Sequence, residues 1–286
     1  MKTKILFITI ILLSISGFSQ DLEDILDAET EETTFNTNAT FKGTRIANGH
    51  SVETRKKGDF EFLISHRFGR INSGAYNLFG LDNSNIRFGF EYAFTNNLTI
   101  ALGRSSLEKT YDAYLKYRVL RQKEGKKYFP FSLTYFGSIA SKTLKDYDIN
   151  NKPSFANRLA YTNQLLIARK FNSSFSLQIM PTFVHFNTVQ NELDNHDIYA
   201  LGIGSRVKLS KRFSINAEYY HTINPFESRA VQNSLALGLE IETGGHVFQI
   251  ILSNSRAMIE KSFIAESTGE FFNGDIHLGF NISRIF

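Results

Sequence analysis

Apolar and polar residues alternate along most of the chain after residue 59. The clearest stretch is "NIRFGFEYAF", in which Ile86, Phe88, Phe90, Tyr92 and Phe94 fall on one face. Side chains of a strand point alternately to its two faces, so this period of two predicts β-strands rather than helices. The pattern predicts twelve strands, at 59–69, 84–95, 97–105, 109–120, 128–140, 156–169, 174–186, 197–209, 212–223, 233–242, 246–254 and 275–286. Pro181 falls inside the seventh strand, where a missing N–H predicts a bulge or a register error.

The connections between these strands alternate in length. Long ones such as "SKTLKDYDINNKPS" and "SRAMIEKSFIAESTGEFFNG" take turns with short ones such as "KFNSS" and "ETGG", and only the short third gap, "SSLEK", breaks the rule. Outer-membrane barrels have long outer loops and short periplasmic turns. The sequence therefore predicts an all-β, up-and-down antiparallel transmembrane β-barrel of about twelve strands over 59–286, with both chain ends on the periplasmic side.

Alternation alone does not say which face points outward, because a soluble lipocalin-like barrel alternates too. The second face carries polar residues of both signs between glycines, which suits a crowded polar lumen. The apolar face, facing water, would far exceed an ordinary surface patch. We therefore expect the apolar face to meet lipid. The lumen-lining candidates are Arg67, Arg87, Glu91, Asp112, Lys116, Arg118, Arg158, Arg206, Glu218 and Glu240.

The first residues have the layout of a cleaved secretory signal. Lys2 and Lys4 precede an apolar run from Ile5 to Ile15, and small residues follow in "SISGFSQ". The run is too short for a spanning helix, so we predict a signal peptide over 1–19 with cleavage after Ser19. Export and the barrel pattern together predict an outer-membrane location.

Residues 20–58 form an acidic and then polar N-terminal segment. Residues 21–32, "DLEDILDAETEE", hold seven acidic residues and no basic one, whereas the rest of the chain is basic. The acidic stretch is either a solvated arm or an arm that docks onto the basic body or a partner. The later "TFKGTRIANGHSVE" is too specific for a random linker. The segment could form a lumen plug, a periplasmic clasp or an extra strand. We expect residues 40–55 to tuck into or against the periplasmic mouth, where Arg45, Asn48 and His50 would meet lumen acids such as Glu61 or Glu91.

The chain ends in "GDIHLGFNISRIF", an alternating strand whose last residue is Phe286. We expect this strand to close the barrel against the first. A terminal aromatic on such a strand resembles the signal that the barrel-assembly machinery recognises. Arg284 departs from that signal, because an aromatic or apolar residue is usual there.

Five stretches of the chain carry a resemblance to a known family: "FKGTRIANGHSVE", "SHRFGRINSGAYNLFGLD", "YDAYLKYRVLRQ", "IETGGHVFQ" and "GDIHLGFNISR". They resemble the blocks of an uncharacterised β-barrel family from Bacteroidetes-type outer membranes. The resemblance covers nearly the whole mature chain. It implies a barrel and an outer-membrane address, and it brings no catalytic residue, ligand or substrate.

Little in the sequence indicates catalysis. Cysteine is absent, which excludes disulfides, thiolate nucleophiles and cysteine metal sites. The seven histidines lack a compact metal-ligand spacing such as HExxH. The stretches "GHS" at 49–51 and "NSR" at 254–256 hold lipase-type residues without convincing spacing. We expect no enzyme, cofactor or metal.

The basic residues are spread through strands and turns, which together with export argues against nucleic acid. They suit contact with outer-membrane lipid and lipopolysaccharide. Two functions remain. The first is a narrow pore or transporter for small polar solutes. The alternative is a plugged structural or partner-binding barrel that acts through its long extracellular loops. An unknown periplasmic or extracellular protein would be its partner. A continuous water path favours the first, and a lumen filled by paired charges favours the second.

Overall fold

The structure is a computed structural model and describes residues 33–145, 152–244 and 246–286. The predicted signal peptide at 1–19 and the acidic stretch at 21–32 lie outside the described residues.

Strands dominate the described chain. They are β1 Thr34–Asn36, β2 Phe60–Arg70, β3 Ser84–Ala93, β4 Leu98–Ser105, β5 Tyr111–Leu120, β6 Lys123–Gly125, β7 Ser132–Ser141, β8 Leu159–Lys170, β9 Phe175–Phe186, β10 Asp197–Lys208, β11 Phe213–Thr222, β12 Ser234–Thr243, β13 His246–Ser253 and β14 His277–Ile285. Helices are short: α1 covers Glu260–Ala265, and 3₁₀ turns cover Ile71–Ser73, Ala75–Gly80, Leu107–Lys109, Ala156–Arg158 and Phe271–Asn273.

Twelve of these strands form one closed antiparallel barrel. Neighbours in the chain are neighbours in the barrel, and β14 closes it by pairing with β2. The seam is completed at the end of the chain, where the Phe286 N–H donates to the carbonyl of Phe60 at 2.8 Å. The predicted fold class is therefore confirmed, with strand ends within a few residues of those expected.

The small strands β1 and β6 were not predicted. They pair antiparallel in a separate two-stranded sheet within the unit formed by residues 33–38 and 121–130. Arg121 donates to the carbonyl of Thr37 at 3.2 Å, and Thr37 donates through its hydroxyl to Glu124 at 3.0 Å. Strands of three residues carry too little alternation to be recognised in a sequence.

Pro181 lies within β9 without a bulge. It pairs with Leu201 of β10 in regular register. On the β8 side the pairing stops after Gln164–Thr182 and resumes at Ile167–Ile179 in the same register. The expected bulge is therefore wrong: proline removes a donor from the ladder but adds no residue, so the ladder is interrupted without a shift.

Alternation along the barrel strands separates an apolar outer face from a polar inner face. Outward side chains such as Leu102, Ile203 and Ile250 are 64%, 45% and 48% exposed. Exposed tyrosine and phenylalanine residues lie near both ends of the strands, where aromatic belts of membrane barrels lie: Phe60, Tyr92, Phe94, Phe171 and Phe213 at one end, and Tyr111, Tyr199 and Tyr219 at the other. Among the described helices, none is long and apolar enough to cross a membrane.

The two ends of the barrel differ. The connections after β2, β7, β9, β11 and β13 are long, and we call this end the loop end. The connections after β3, β8, β10 and β12 are short, and we call this end the turn end. Strand β2 begins and β14 finishes at the turn end, so the residues that precede β2 approach the lumen from there.

The outer face yields a test of its contact with hydrocarbon. Replacing Ile203→Arg, midway along β10, is expected to destabilise the barrel in lipid vesicles by about 2–4 kcal/mol, because a charge would face the bilayer midplane. Urea unfolding followed by heat-modifiable gel migration measures this. Asn97→Arg, in an exposed short turn, is the control and should change stability by less than about 0.5 kcal/mol. Equal effects of the two variants would mean that the outer face around Ile203 is in contact with water rather than hydrocarbon.

Candidate functional site

The lumen is occupied by residues 39–55, which we call the plug. The plug folds back on itself: Arg45 and His50 form an antiparallel bridge, and the Ile46 N–H donates to the carbonyl of Gly49 at 2.8 Å. Asn48 and Gly49 occupy the turn, as these residue types commonly do. Gly49 is also required by space, because a Cβ there would collide with the hydroxyl of Tyr220.

One carboxylate from the barrel wall holds this turn. Glu218 of β11 accepts the backbone N–H groups of Ala47 at 3.2 Å, Asn48 at 2.8 Å and Gly49 at 3.1 Å. Glu218 is only 2% exposed. Three N–H donors therefore replace the water that a buried carboxylate would otherwise need.

Amide side chains of the wall satisfy the carbonyls of the plug. Asn216 and Gln249 both donate to Ile46 O at 3.0 Å, and Asn281 donates to Ala47 O at 2.9 Å. Gln178 binds in both directions: it accepts the Val52 N–H at 2.7 Å and donates to His50 O at 2.8 Å. The irregular backbone thus finds its hydrogen-bond partners on β9, β11, β13 and β14.

Ion pairs hold the plug nearer the turn end. Arg55 binds Glu61 of β2 at 2.5 Å, and Glu53 binds Arg118 of β5 at 3.0 Å. Lys116 of β5 donates to the carbonyl of Glu53 at 2.5 Å. Cationic and anionic wall residues therefore both bind the plug, which explains the mixed charge of the lumen.

A second segment enters the lumen from the loop end. Residues 254–267, which we call the cap, follow β13 and include the fully buried helix α1. Phe263 of the cap packs edge-on against Tyr220 with ring centroids 5.3 Å apart. Thr222 of β11 donates to the carbonyl of Ile264 at 2.9 Å. The cap therefore closes the barrel on the side opposite to the entry of the plug.

Plug and cap meet at Glu260. Its carboxylate binds Arg45 at 2.7 Å and lies 3.4 Å from Nε2 of His50. His50 is fully buried between the rings of Tyr114 and Phe136. Burial and the neighbouring Arg45 lower the pKa of His50 well below its usual value, so the imidazole is neutral at neutral pH. Burial raises the pKa of Glu260, while Arg45 opposes that shift.

The structure places nine of the ten lumen candidates on the inner face of the strands, where all are buried: Arg67, Arg87, Glu91, Asp112, Lys116, Arg118, Arg206, Glu218 and Glu240. Several form pairs within the wall. Arg87 binds Asp112, Tyr114 donates to Glu91, and Arg206 lies 3.4 Å from Glu240. Arg158 is the exception, because it ends a 3₁₀ turn just before β8 and lines a cavity at the loop end.

The expected partners of the plug candidates need correction. Arg45 and His50 meet Glu260 of the cap, and Asn48 accepts from Arg67 at 2.7 Å and donates to Ser253 at 3.0 Å. Glu61 instead binds Arg55, and both Glu61 and Glu91 accept from Thr44. The tip of the plug lies deeper in the lumen than Glu61 and Glu91, so Arg45, Asn48 and His50 bind residues beyond these acids.

Sequence reasoning missed the cap and therefore missed Glu260. The signal was present, because "AMIEKSFIA" is a mostly apolar stretch with few turn residues inside a segment assigned to the outer loops. The stretches considered for a hydrolase are accounted for by structural bonds. Ser51 donates to Gly43 O at 2.6 Å, and Asn254 donates to Gly269 O at 2.7 Å.

A closed antiparallel barrel with an apolar belt and a polar lumen filled by its own chain is a plugged membrane β-barrel. The chain belongs to the family described as membrane bound beta barrel domain (DUF5777), whose model matches residues 41–286. The prediction of a membrane barrel over a soluble one is confirmed, as is the expected family of uncharacterised membrane barrels.

Solved structures of similar shape include outer-membrane channels. The chain is similar to an outer membrane channel from Pseudomonas putida F1, at 13% identity and a TM-score of 0.49, over 82% of this chain and 98% of that one. It is also similar to the KdgM porin, at 9% identity and a TM-score of 0.47, over 80% and 99%. Neither similarity says what this chain carries. No curated protein matches the sequence.

The contact at Glu260 can be tested by amide hydrogen exchange. Glu260→Gln leaves the cation of Arg45 buried without its counter-ion, which costs about 3 kcal/mol when one partner of a buried pair is removed. Protection of the peptide 44–53 should therefore fall by about two orders of magnitude. The control is Glu242→Gln, which removes the partner of Lys42 in a pair whose side chains are about one-third exposed. It should change protection by less than tenfold, and an equal change in both variants would contradict the contact.

Proposed function

We propose that the protein is an outer-membrane channel for small polar solutes that its own plug and cap hold closed. The observation that carries this proposal is the position of Glu260 of the cap, which contacts two residues of the plug, the cation of Arg45 and the neutral imidazole of His50. Withdrawal of the plug would leave the carboxylate of the cap buried and unpaired. The two closures therefore depend on each other, and the lumen opens or closes as one unit.

The resting state is closed. Cavities of about 610 and 210 Å³ lie at the loop end, and one of about 410 Å³ lies at the turn end. A cavity of about 10 Å³ lies beside the plug, lined by Thr44, Arg45, Gln249 and Asn281 among others. That volume is at the lower limit for a single water molecule. The described residues provide a lumen filled by paired charges, which by itself favours the plugged barrel, so the proposed channel requires the plug to leave the lumen.

The plug is removable in chemical terms. Its wall contacts are mostly hydrogen bonds and ion pairs to side chains, and water can replace these once the segment leaves. It lies outside the ladder of the barrel, so its departure breaks no strand pairing. A twelve-stranded wall is wider than the eight strands that side chains alone fill. The emptied lumen would be lined by five cations, Arg67, Arg87, Lys116, Arg118 and Arg206, and by five acids, Glu61, Glu91, Asp112, Glu218 and Glu240.

Orientation follows from the two ends of the barrel. Long loops face the outside and short turns face the periplasm in outer-membrane barrels. The plug would then enter from the periplasmic side, within reach of a periplasmic protein. The cap would face the outside, within reach of solutes.

A second candidate is a permanently closed structural or partner-binding barrel. Its support is an apolar cluster inside the lumen, in which Phe41, Ile46 and Val52 of the plug join Phe263 and Ile264 of the cap. Burial of large apolar side chains stabilises by about 1.5–3 kcal/mol each. Such packing favours permanent closure and gives the long loops the functional role.

Single-channel recording of the refolded protein in planar bilayers distinguishes the two. The chain starting at Thr33 retains the plug and should be silent. The chain starting at Lys56 lacks the plug, and with it Arg45 and His50, the plug residues that contact Glu260, and should give discrete conductance steps. Heat-modifiable gel migration must first show that both variants fold. A folded but silent chain from Lys56 would contradict the channel and support the permanently closed barrel.

A further inference from the structure

The loop end holds a cavity that the closure of the lumen does not require. Two adjoining spaces of about 610 and 210 Å³ share Glu108, Arg229 and Glu266 in their lining. We call them together the loop-end cavity. Cap residues including Ser255, Ala257 and Ser262 line the larger space. The cavity therefore lies against the outer side of the cap.

The lining of this cavity is strongly basic. Six cationic side chains face two carboxylates: Arg70, Lys142, Arg158, Arg229, Arg256 and Lys261 against Glu108 and Glu266. The carboxylates are already shared. Lys261 lies 2.9 Å from Glu266 and 3.4 Å from Glu108, and Lys142 lies 3.1 Å from Glu108. The cavity therefore carries more positive charge than its carboxylates can neutralise.

Arg256 is the clearest unused cation. It is exposed in the cavity, and no carboxylate of the described residues lies within ion-pair distance of it. Arg70 is paired with Asp275 at 3.0 Å but leaves 40% of its side chain open. Burial would lower the pKa of Lys261, but Glu266 and Glu108 raise it above its usual value, so this side chain stays charged.

Hydroxyl and amide groups complete the lining. Ser73, Asn83, Ser255, Ser262, Ser267 and Thr268 all border the larger space. Two buried polar atoms there have no hydrogen-bond partner among the described residues: Oγ of Ser267, which is 4% exposed, and Nε of Arg229. Buried polar atoms without protein partners are free to bind a ligand or water.

We propose that the loop-end cavity binds an anionic sugar-sized solute, a carboxylated or phosphorylated sugar. Arginine recognises carboxylate and phosphate groups through paired N–H donors. The serine, threonine and asparagine groups match the hydroxyls of a sugar. The volume lies in the range of pockets that hold small ligands.

This proposal names a substrate class for the proposed channel and rests on that function for transport, though not for binding. Binding is measured on the whole refolded protein in detergent, without a bilayer. A failed conductance experiment and a failed binding experiment are therefore separate results.

The test is calorimetric titration with glucuronate, glucose 6-phosphate, glucose and inorganic phosphate. Both acidic sugars should bind more tightly than glucose or phosphate, and the tighter of the two identifies the preferred anion. Arg256→Gln should weaken their binding by about tenfold, the usual effect of losing one charge-assisted hydrogen bond. Arg212→Gln, in the short turn after β10 at the opposite end, is the matched control and should leave binding unchanged.

Three results would overturn the proposal. Equal binding of glucose and glucuronate would remove the role of the positive charge. Equal effects of Arg256→Gln and Arg212→Gln would move any binding away from the loop-end cavity. Inorganic phosphate that binds as tightly as the acidic sugars would show that the hydroxyl groups play no part, and this too would contradict a sugar ligand.

Discussion

Irregular backbone packed in a lumen with almost no room for water must find its hydrogen-bond partners within the protein, and this constraint decides how the lumen is built. Glu218 meets it at the tip of the plug by accepting three consecutive N–H groups. Gln178, Gln249 and Asn281 meet it for the carbonyls and the remaining amides. Because these side chains come from different strands, the plug can bind at only one position and one depth in the lumen. The polar inner face of the barrel is thus a template for a specific segment rather than a general hydrophilic lining.

The depth of the plug in turn determines how the cap is held in the lumen. Arg45 is carried far enough into the lumen to bind Glu260, and a helix as short as α1 depends on such contacts for its stability. Phe263 adds an apolar contact on Tyr220, a wall residue whose hydroxyl also lies close to Gly49. One region of the β11 wall therefore contacts both closures. The basic cavity on the outer side of the cap is a product of the same arrangement.

The barrel could be read from the sequence because strict alternation is a strong signal over strands of this length. The small β1–β6 sheet could not, since three residues carry no usable period. The presence of a plug followed from the specificity of "TFKGTRIANGHSVE", but its partners did not. Arg45 and Glu260 are far apart in the chain. Predicting their ion pair would have required knowing how deep the plug lies and that the cap turns into the lumen. Arg158 was placed in the wall because its strand was expected to begin at 156, three residues before β8.

The plug precedes β2, yet most of the side chains that seat its tip belong to β9, β11, β13 and β14. Contacts between the first and the last parts of a chain form late, because the intervening loop must be closed before they gain anything. The tip of the plug therefore has no complete binding surface until the C-terminal strands have joined the sheet. We therefore expect the tip of the plug to take its place last, after the C-terminal strands have closed the barrel around it.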